Sequence, residues 1–314
     1  MLHDRVGRDN PLSRGGLRNR EGLMGTARSR VVQVEVRNAG GRRRGAAADT
    51  GGRGDALFVG SLEKGLRVLS AFLAGEAHLG LSDICRLTKL DKSAAQRFAH
   101  TLMVLGYLEK DPRTRRYHPS VRMLDWFVAY MRADPLIQIA GPHLVDLHDE
   151  TRQAVNLSRL VDTDVSYVIR IPARRARLLS PIVGERVPAF CTASGRAILS
   201  GRSDEEVADI LDRSQLLPFT ERTICDRAQI LARIAAARRV GYTIAEEECL
   251  PGELTIAAPI LNAEGRSIGG LNMSMTTRDW TPERMRTELA PPLLRTVTIL
   301  SSLQGYRGSS AIPA

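Results

Sequence analysis

Residues 90–119 read LDKSAAQRFAHTLMVLGYLEKDPRTRRYHP, and this stretch decides the fold of the first part of the chain. Asp91 can cap a helix. Ala95, Phe98, Leu102 and Leu105 then recur three and four apart, the period of one buried helical stripe, and Gly106 stops the run. The opposite face carries Ser93, Gln96, Arg97 and His100, with Lys92 beside them. Those side chains can donate to and accept from base edges or phosphates in a major groove. Two strand-like runs follow, 107–110 and 116–118, around the basic turn 111–115.

Upstream, Leu62, Leu66, Leu69 and Leu73, widened by Val68 and Phe72, predict an amphipathic helix ending near residues 74–75. Ser82 is the expected N-cap of a short second helix, with Ile84 and Leu87 inward and Cys85 at the helix contact, before a tight turn at 88–90. Three helices and a basic hairpin make a winged helix-turn-helix over residues 56–120. A polar helix face is ordinarily just solvated. Here the helix lengths, the turn, the hairpin and the charge all favour DNA, met by Lys92, Ser93, Gln96, Arg97 and His100 from the third helix and by Arg113, Arg115 and Arg116 from the wing.

The net charge is +10, and it is unevenly placed. Residues 1–55 hold 12 Arg against 6 acids, residues 56–120 hold 10 basic residues against 6, and residues 121–314 balance at 23 each. A polyanion bound by the N-terminal end accounts for that distribution. Residues 1–55, rich in Arg and Gly, read as a disordered basic tail: a solvated extension ahead of an alternative start at Met24, or an auxiliary phosphate-binding arm. No apolar run of about 18 residues and no secretory signal are present, so a cytoplasmic protein without a membrane partner is expected. Cys85, Cys191, Cys225 and Cys249 form no CxxC pair, and no His cluster has metal-ligand spacing; reduced, packed thiols and no metal or cofactor are expected.

Residues 121–132 are helical and rich in large apolar side chains, Met123, Leu124, Trp126, Phe127 and Tyr130 among them, which suits burial against a partner chain. We assign 121–134 to a linker helix. Asp134-Pro135 starts the next domain, 135–305, leaving 306–314 as a C-terminal tail. Within it we expect a helix over 142–151, a hairpin of NLSRLV and VSYVIRI around 162–164, and a strand at ARLLSPI. A capping box at Ser203 and Glu206 and a helix over 226–239 come next. TIAAPIL and SIGGLNMSM pair around the turn 262–266, Thr281-Pro282 opens a helix, and Pro291-Pro292 interrupts the closing helical region. Hairpins with flanking helices predict an α+β domain on an antiparallel sheet.

Enzyme signatures are missing. The chain has no GxSxG, HExxH, phosphate loop or GxGxxG, and His143 and His148, five apart, fall on different helix faces, so no catalytic residue is assigned. An enzyme domain tethered to DNA is the rival from another class. A nucleic-acid chaperone driven by the tail is a second, and it predicts loss of binding when residues 1–55 are removed.

The stretches SLEKGLRVLSAF, LSDICRLTKLDKSAAQRFAHTLMVLGYLEKDPRTRRYHP, VPAFCTASGRAILSG and GYTIAEEECLPGELTIAAPILNAEGRSIGGLNMSM occur in this order. Over about residues 58–305 the chain resembles the IclR family of bacterial transcription regulators. The resemblance implies a winged helix-turn-helix, a linker helix used in dimerisation, and a GAF-like domain that binds a small organic acid. It also implies a homodimer or tetramer on palindromic double-stranded promoter DNA. VPAFCTASGRAIL looks most like the branch controlling aromatic acid breakdown through the β-ketoadipate route, whose members sense protocatechuate, 4-hydroxybenzoate or related acids; a non-aromatic small acid is the alternative. By position, the resemblance puts Ala193, Ser194, Gly195, Thr255, Asn272 and Ser274 around the effector. Hydroxyls, an amide and helix-start N–H groups suit a carboxylate. Arg170 and Arg196 could supply charge to the effector, though arginines at such positions are more often on the surface; Cys191 is expected in the packing. The chain departs from the family's pattern at Arg115, where many members have glycine, at Trp126-Phe127 in the linker, and at Glu253-Leu254 beside the expected pocket.

Overall fold

The structure is a computed structural model, and it describes residues 56–74, 76–173 and 183–308. The expected tail, the strand at ARLLSPI and the last six residues lie outside the described residues.

The N-terminal unit packs three helices against a hairpin: α1 (Gly60–Ser70), continued by a 3-10 turn at Ala71–Ala74, α2 (Leu81–Thr88), α3 (Lys92–Val104), β1 (Leu108–Lys110) and β2 (Tyr117–Pro119). Its core is Val68, Ala71, Phe72, Leu79, Ile84, Ala95, Ala99, Leu108 and Tyr117. The stripe expected on α1 is buried only in part, through Val68, Leu69 and Phe72. Val68 and Phe72 face the core, while Leu62, Leu66 and Leu73 stay 62%, 54% and 65% exposed. Ser82 does not cap α2. Leu79 is held in an extended bridge to Tyr117, so the helix starts at once from Gly80, whose N–H donates to Asp83 Oδ2 at 3.0 Å. Lys89, in the left-handed region, ends α2, and Asp91 caps α3 as expected, accepting from the Ala94 N–H at 2.8 Å. Small residues, Ala94, Ala95 and Ala99, carry the buried side of α3. Leu105, expected there, is the C-cap and half exposed.

The wing is shaped by Asp111, which accepts from the N–H groups of Arg113 and Thr114 at 2.8 and 2.7 Å. Those backbone bonds, Thr114's first, hold its carboxyl below the usual range. Arg115 then takes φ +60°, the left-handed conformation that glycine adopts without strain.

α4 (Met123–Ala133) buries no residue within the chain, and Leu124, Trp126, Phe127 and Tyr130 are exposed. α5 (Pro135–Thr151) begins seven residues before the expected start at Pro142. Asp134 caps it, accepting from Leu136 and Ile137, and Pro135 takes the first turn, where no N–H is needed. Pro142 sits inside the helix, its missing hydrogen bond offset by the buried face of Leu136, Ile137, Ala140, Leu144 and Leu147.

A six-stranded, wholly antiparallel sheet follows, in the order β5-β4-β3-β8-β7-β6. Its strands are β3 (Ala154–Val161), β4 (Asp164–Ile171), β5 (Arg186–Pro188), β6 (Thr243–Glu246), β7 (Glu253–Leu261) and β8 (Ser267–Thr276). The short edge strands β5 and β6 were not expected. α5 and α10 (Ala290–Leu303), the latter reached through α9 (Pro282–Glu288), pack on one face over Leu157, Ile256, Leu271 and Met273. The other face carries α6 (Ala193–Ser200), backed by α7 (Asp204–Arg213) and α8 (Arg227–Val240) around Tyr167, Phe190 and Ile198. Pro291 and Pro292 open α10 instead of interrupting it, since the first turn of a helix has N–H groups to spare. The fold is α+β, a winged helix-turn-helix followed by a sheet domain.

Candidate DNA-reading surface and effector recess

On α3, Lys92, Ser93, Gln96, Arg97 and His100 are all exposed, on the side away from Ala95 and Ala99. Arg113 and Arg115 are exposed on the wing. Arg116 behaves differently. Its guanidinium donates to the His78 carbonyl at 2.8 Å and to Asp83 at 3.3 Å, with Glu76 3.7 Å away, so it clamps the wing to the start of α2. Between α2, Gln96 and the wing lies a polar notch lined by Ser82, Lys110, Thr114 and Arg115. Lys110 was not singled out from sequence; its ammonium lies 4.7 Å from the Tyr117 ring centre and 3.2 Å from the Tyr117 hydroxyl. A residue at a strand end gives no periodic signal that would have marked it.

The α6 face of the sheet holds the second constellation. Asn272 of β8 lies opposite Asn156 of β3 on one side and Ala257 of β7 on the other, and Ser274 lies opposite Thr255. Cross-strand partners share a face, so Asn156, Thr255, Asn272 and Ser274 look toward α6. The Asn272 amide donates to the Ser274 hydroxyl at 3.3 Å, and the Ser274 and Thr255 hydroxyls are 3.4 Å apart. Of the expected effector residues, Ala193 and Gly195 serve packing. Ala193 joins Ala197, Ala245 and Ala257 in a small apolar cluster. A Cβ on Gly195 would come 2.1 Å from the Ala189 carbonyl oxygen, so only glycine lets the β5–α6 loop cross α6 there. Gly270 of β8 has a like role: a Cβ there would meet the Ser194 carbonyl at 3.2 Å.

Among the described residues, three buried side-chain polar atoms have no hydrogen-bond partner: the side-chain carbonyls of Asn156 and Asn272, and the Ser194 hydroxyl in the first turn of α6. Buried polar groups are nearly always satisfied. Each left unpaired costs about 1 to 3 kcal/mol. Three of them on facing elements mark a place where a polar molecule can complete the bonding. The first N–H groups of α6 add donors, Thr192 having capped only Gly195.

Arg170, Tyr167 and Glu253, none of them among the effector residues expected, share this face of the sheet. Arg170 of β4 lies opposite Asn156, and Tyr167 lies opposite Ser158, because a register shift after Leu157 puts Val168 on the other face. Residues three apart on one strand thereby share a face, which simple alternation hides. Burial pushes the Tyr167 hydroxyl upward, with Glu253 and Cys249 adding to the effect, and burial lowers Arg170. Glu253, at the start of β7 on the Thr255 face, is pushed up to about 7 by burial, against the pull of Arg170 and the Ser274 hydroxyl. Arg196, expected at the surface, is fully buried: both terminal nitrogens donate to Glu248 at 2.6 Å, and Nε to the Phe190 carbonyl. It fixes the β6–β7 loop to α6 and is not available to a ligand. Cys191 is buried, as expected, and its sulfur lies 3.4 Å from that of Cys249. The contact with Cys191 and burial raise the Cys249 thiol. Among the described residues no cluster of three or more His, Cys, Asp or Glu could hold a metal, and no helix is long and apolar enough to cross a membrane.

Residues 61–112 match the IclR helix-turn-helix domain, and residues 128–302 match the family described as bacterial transcriptional regulator IclR C-terminal. The chain is 34% identical to the Pca regulon regulatory protein of Pseudomonas putida, over 77% of this chain and 82% of that one. It is 29% identical to the p-hydroxybenzoate hydroxylase transcriptional activator of Acinetobacter baylyi, over 78% and 92%. Among solved structures, a transcriptional regulator from Rhodococcus sp. RHA1 is similar, with TM-score 0.68, 31% identity and coverage of 79% and 98%. An IclR homolog from Microbacterium hydrocarbonoxydans, complexed with 4-hydroxybenzoate, shares the fold with TM-score 0.64 at 23% identity, over 77% and 98%. The Pseudomonas and Acinetobacter relatives are both named for the regulation of transcription.

Proposed function

The chain belongs to the IclR family of bacterial transcription regulators, and we propose that it binds promoter DNA under the control of a small aromatic acid, such as protocatechuate or 4-hydroxybenzoate. The observation that carries the effector half is the set of orphaned buried atoms of Asn156, Asn272 and Ser194, on α6 and on the sheet face that Tyr167 shares. A carboxylate takes the Ser194 hydroxyl and the free N–H groups at the start of α6, with Arg170 supplying charge; the aromatic body packs on Tyr167. The names of the Pseudomonas and Acinetobacter relatives support the aromatic class.

DNA is read by Lys92, Ser93, Gln96, Arg97 and His100 of α3 in a major groove, with Arg113 and Arg115 at the flanking backbone. The functional unit is a homodimer or a tetramer of such dimers on a palindromic site. The apolar faces left exposed on α1 and α4 support this: Leu62, Leu66, Leu124 and Trp126 are each more than half exposed. A dimer at the cytoplasmic nucleoid is the setting we infer.

The test is binding of the full chain to the DNA upstream of its own gene at fixed salt, with and without each acid. Sequence-specific binding altered by one of them is the expected result. Specific binding indifferent to both would discard these effectors, and binding equal on all sequences would discard the groove-reading role of α3.

A further inference from the structure

Glu253 stands in the recess without a task in the fold. It begins β7 on the same face as Thr255, beside the Ser274 hydroxyl, and it feels Arg170 and Tyr167 of β4 and Cys249 of the preceding loop. No cation of the described residues lies within 4.0 Å of its carboxylate, and it caps no helix. A partly buried carboxyl that has the Ser274 hydroxyl beside it, and a second oxygen still to satisfy, can take a further donor from a ligand. The orphaned carbonyls of Asn156 and Asn272 have the same need, since both are acceptors.

Resting on the reading of this recess as the effector site, we propose that Glu253 is a specificity-determining residue that accepts a hydrogen bond from a ring hydroxyl of the effector. It selects hydroxylated aromatic monoacids over the unsubstituted acid and over diacids. An acid lacking the hydroxyl leaves Glu253 with the Ser274 hydroxyl alone and covers it without supplying the second donor. A diacid sets a second negative charge beside it, and among the described residues Arg170 is the one cation near enough to be felt by Glu253. A hydrogen bond to such an acceptor is worth about tenfold to a hundredfold in affinity. A ligand that cannot make it is rejected by a similar factor.

The experiment is calorimetric titration of the full chain at pH 8 and fixed salt with benzoate, 4-hydroxybenzoate, 3,4-dihydroxybenzoate and terephthalate, for the native protein and for Glu253→Gln and Glu253→Leu. The native protein is expected to bind the hydroxylated acids at least about tenfold tighter than benzoate and terephthalate. In Glu253→Leu the hydroxyl preference collapses to within about threefold. In Glu253→Gln, whose amide oxygen still accepts, the preference persists while terephthalate gains about tenfold. An unchanged preference in a folded Glu253→Leu, or native binding of terephthalate as tight as that of 4-hydroxybenzoate, would overturn the proposal. If Glu253→Leu fails to fold by circular dichroism, the terephthalate gain in Glu253→Gln decides alone. Binding of none of these acids by the native protein would overturn the aromatic-acid reading itself, and the role of Glu253 with it.

Discussion

Arg159 of β3 grips Asp134, the residue that caps α5. Its Nε donates to Oδ2 at 2.9 Å and Nη2 donates to Oδ1, while Nη1 reaches the Ile268 carbonyl of β8 and the Tyr130 hydroxyl of α4 donates to Oδ2 at 3.3 Å. One carboxylate therefore ties the linker helix, the first helix of the effector domain and two strands together. Asp134→Ala removes both the cap and the partner of a mostly buried guanidinium. A loss of about 3 kcal/mol in unfolding free energy is expected by denaturant titration. Asp134→Asn keeps the cap, and about half of that loss is expected.

Arg115 holds a left-handed backbone at the tip of the wing, where an L side chain costs about 1 kcal/mol. Arg115→Gly should therefore raise stability by up to about 1 kcal/mol. The same change removes a cation from the DNA face. The slope of log affinity against log salt should fall by about one. A variant that gains stability and keeps the full salt slope would show that Arg115 does not touch phosphate.

Arg97 and Arg116 look equivalent in a list of basic residues, yet one is exposed on α3 and the other is bound to His78 and Asp83. Arg97→Ala should lower affinity for the specific site by about 1 to 3 kcal/mol with no change in melting temperature. A uniform loss on all sequences would make it a phosphate contact. Arg116→Ala should do the reverse, lowering thermal stability by loosening the wing while sparing the preference among sequences.

The elements that could be read in advance are those with a local cause. Asp91 before an apolar run, Ser203 three residues before Glu206, and Thr281 before Pro282 each satisfy helix N–H groups by themselves, and each caps the helix expected. The misreadings have distant causes. The buried face of α1 is chosen by Ile84 and Ala99 on other helices, so of the expected stripe Val68, Leu69 and Phe72 turn inward while Leu62, Leu66 and Leu73 do not. The start of α2 is set by pairing with Tyr117, 38 residues after Leu79. In the recess, the polar residues of β7 and β8 were found through resemblance. Tyr167 was not, and Arg170 was weighed as a source of charge but not assigned, because the register shift that puts both on this face leaves no mark on alternation. Arg196 was misplaced because its partner, Glu248, is remote in sequence.

Glu253 also makes a prediction for the ligand-free protein. The groups that face it are Arg170 and Tyr167 from β4, the Ser274 hydroxyl from β8 and Cys249 from the loop before β7. Burial outweighs the attraction of Arg170, so the carboxyl titrates near 7, above its usual 4.5. Below about pH 4.5 the group is protonated in both the folded and the unfolded chain, and its environment brings no penalty. Between about 4.5 and 7 the unfolded chain has released the proton and the folded chain retains it, so stability falls as pH rises; above about 7 the loss is complete and the curve flattens. The full effect is up to about 3 kcal/mol. Glu206, held near 2 by its hydrogen bond to Arg266, has the opposite sign and acts only below about 4.5, outside this window. Asp164, also raised by burial, contributes equally to both proteins being compared. Urea unfolding of the native chain and of Glu253→Gln at half-unit steps from pH 4 to 8 should therefore give a difference that grows across 4.5 to 7 in favour of the variant. A difference that does not vary with pH would mean that the carboxyl is as ionised in the folded chain as in water.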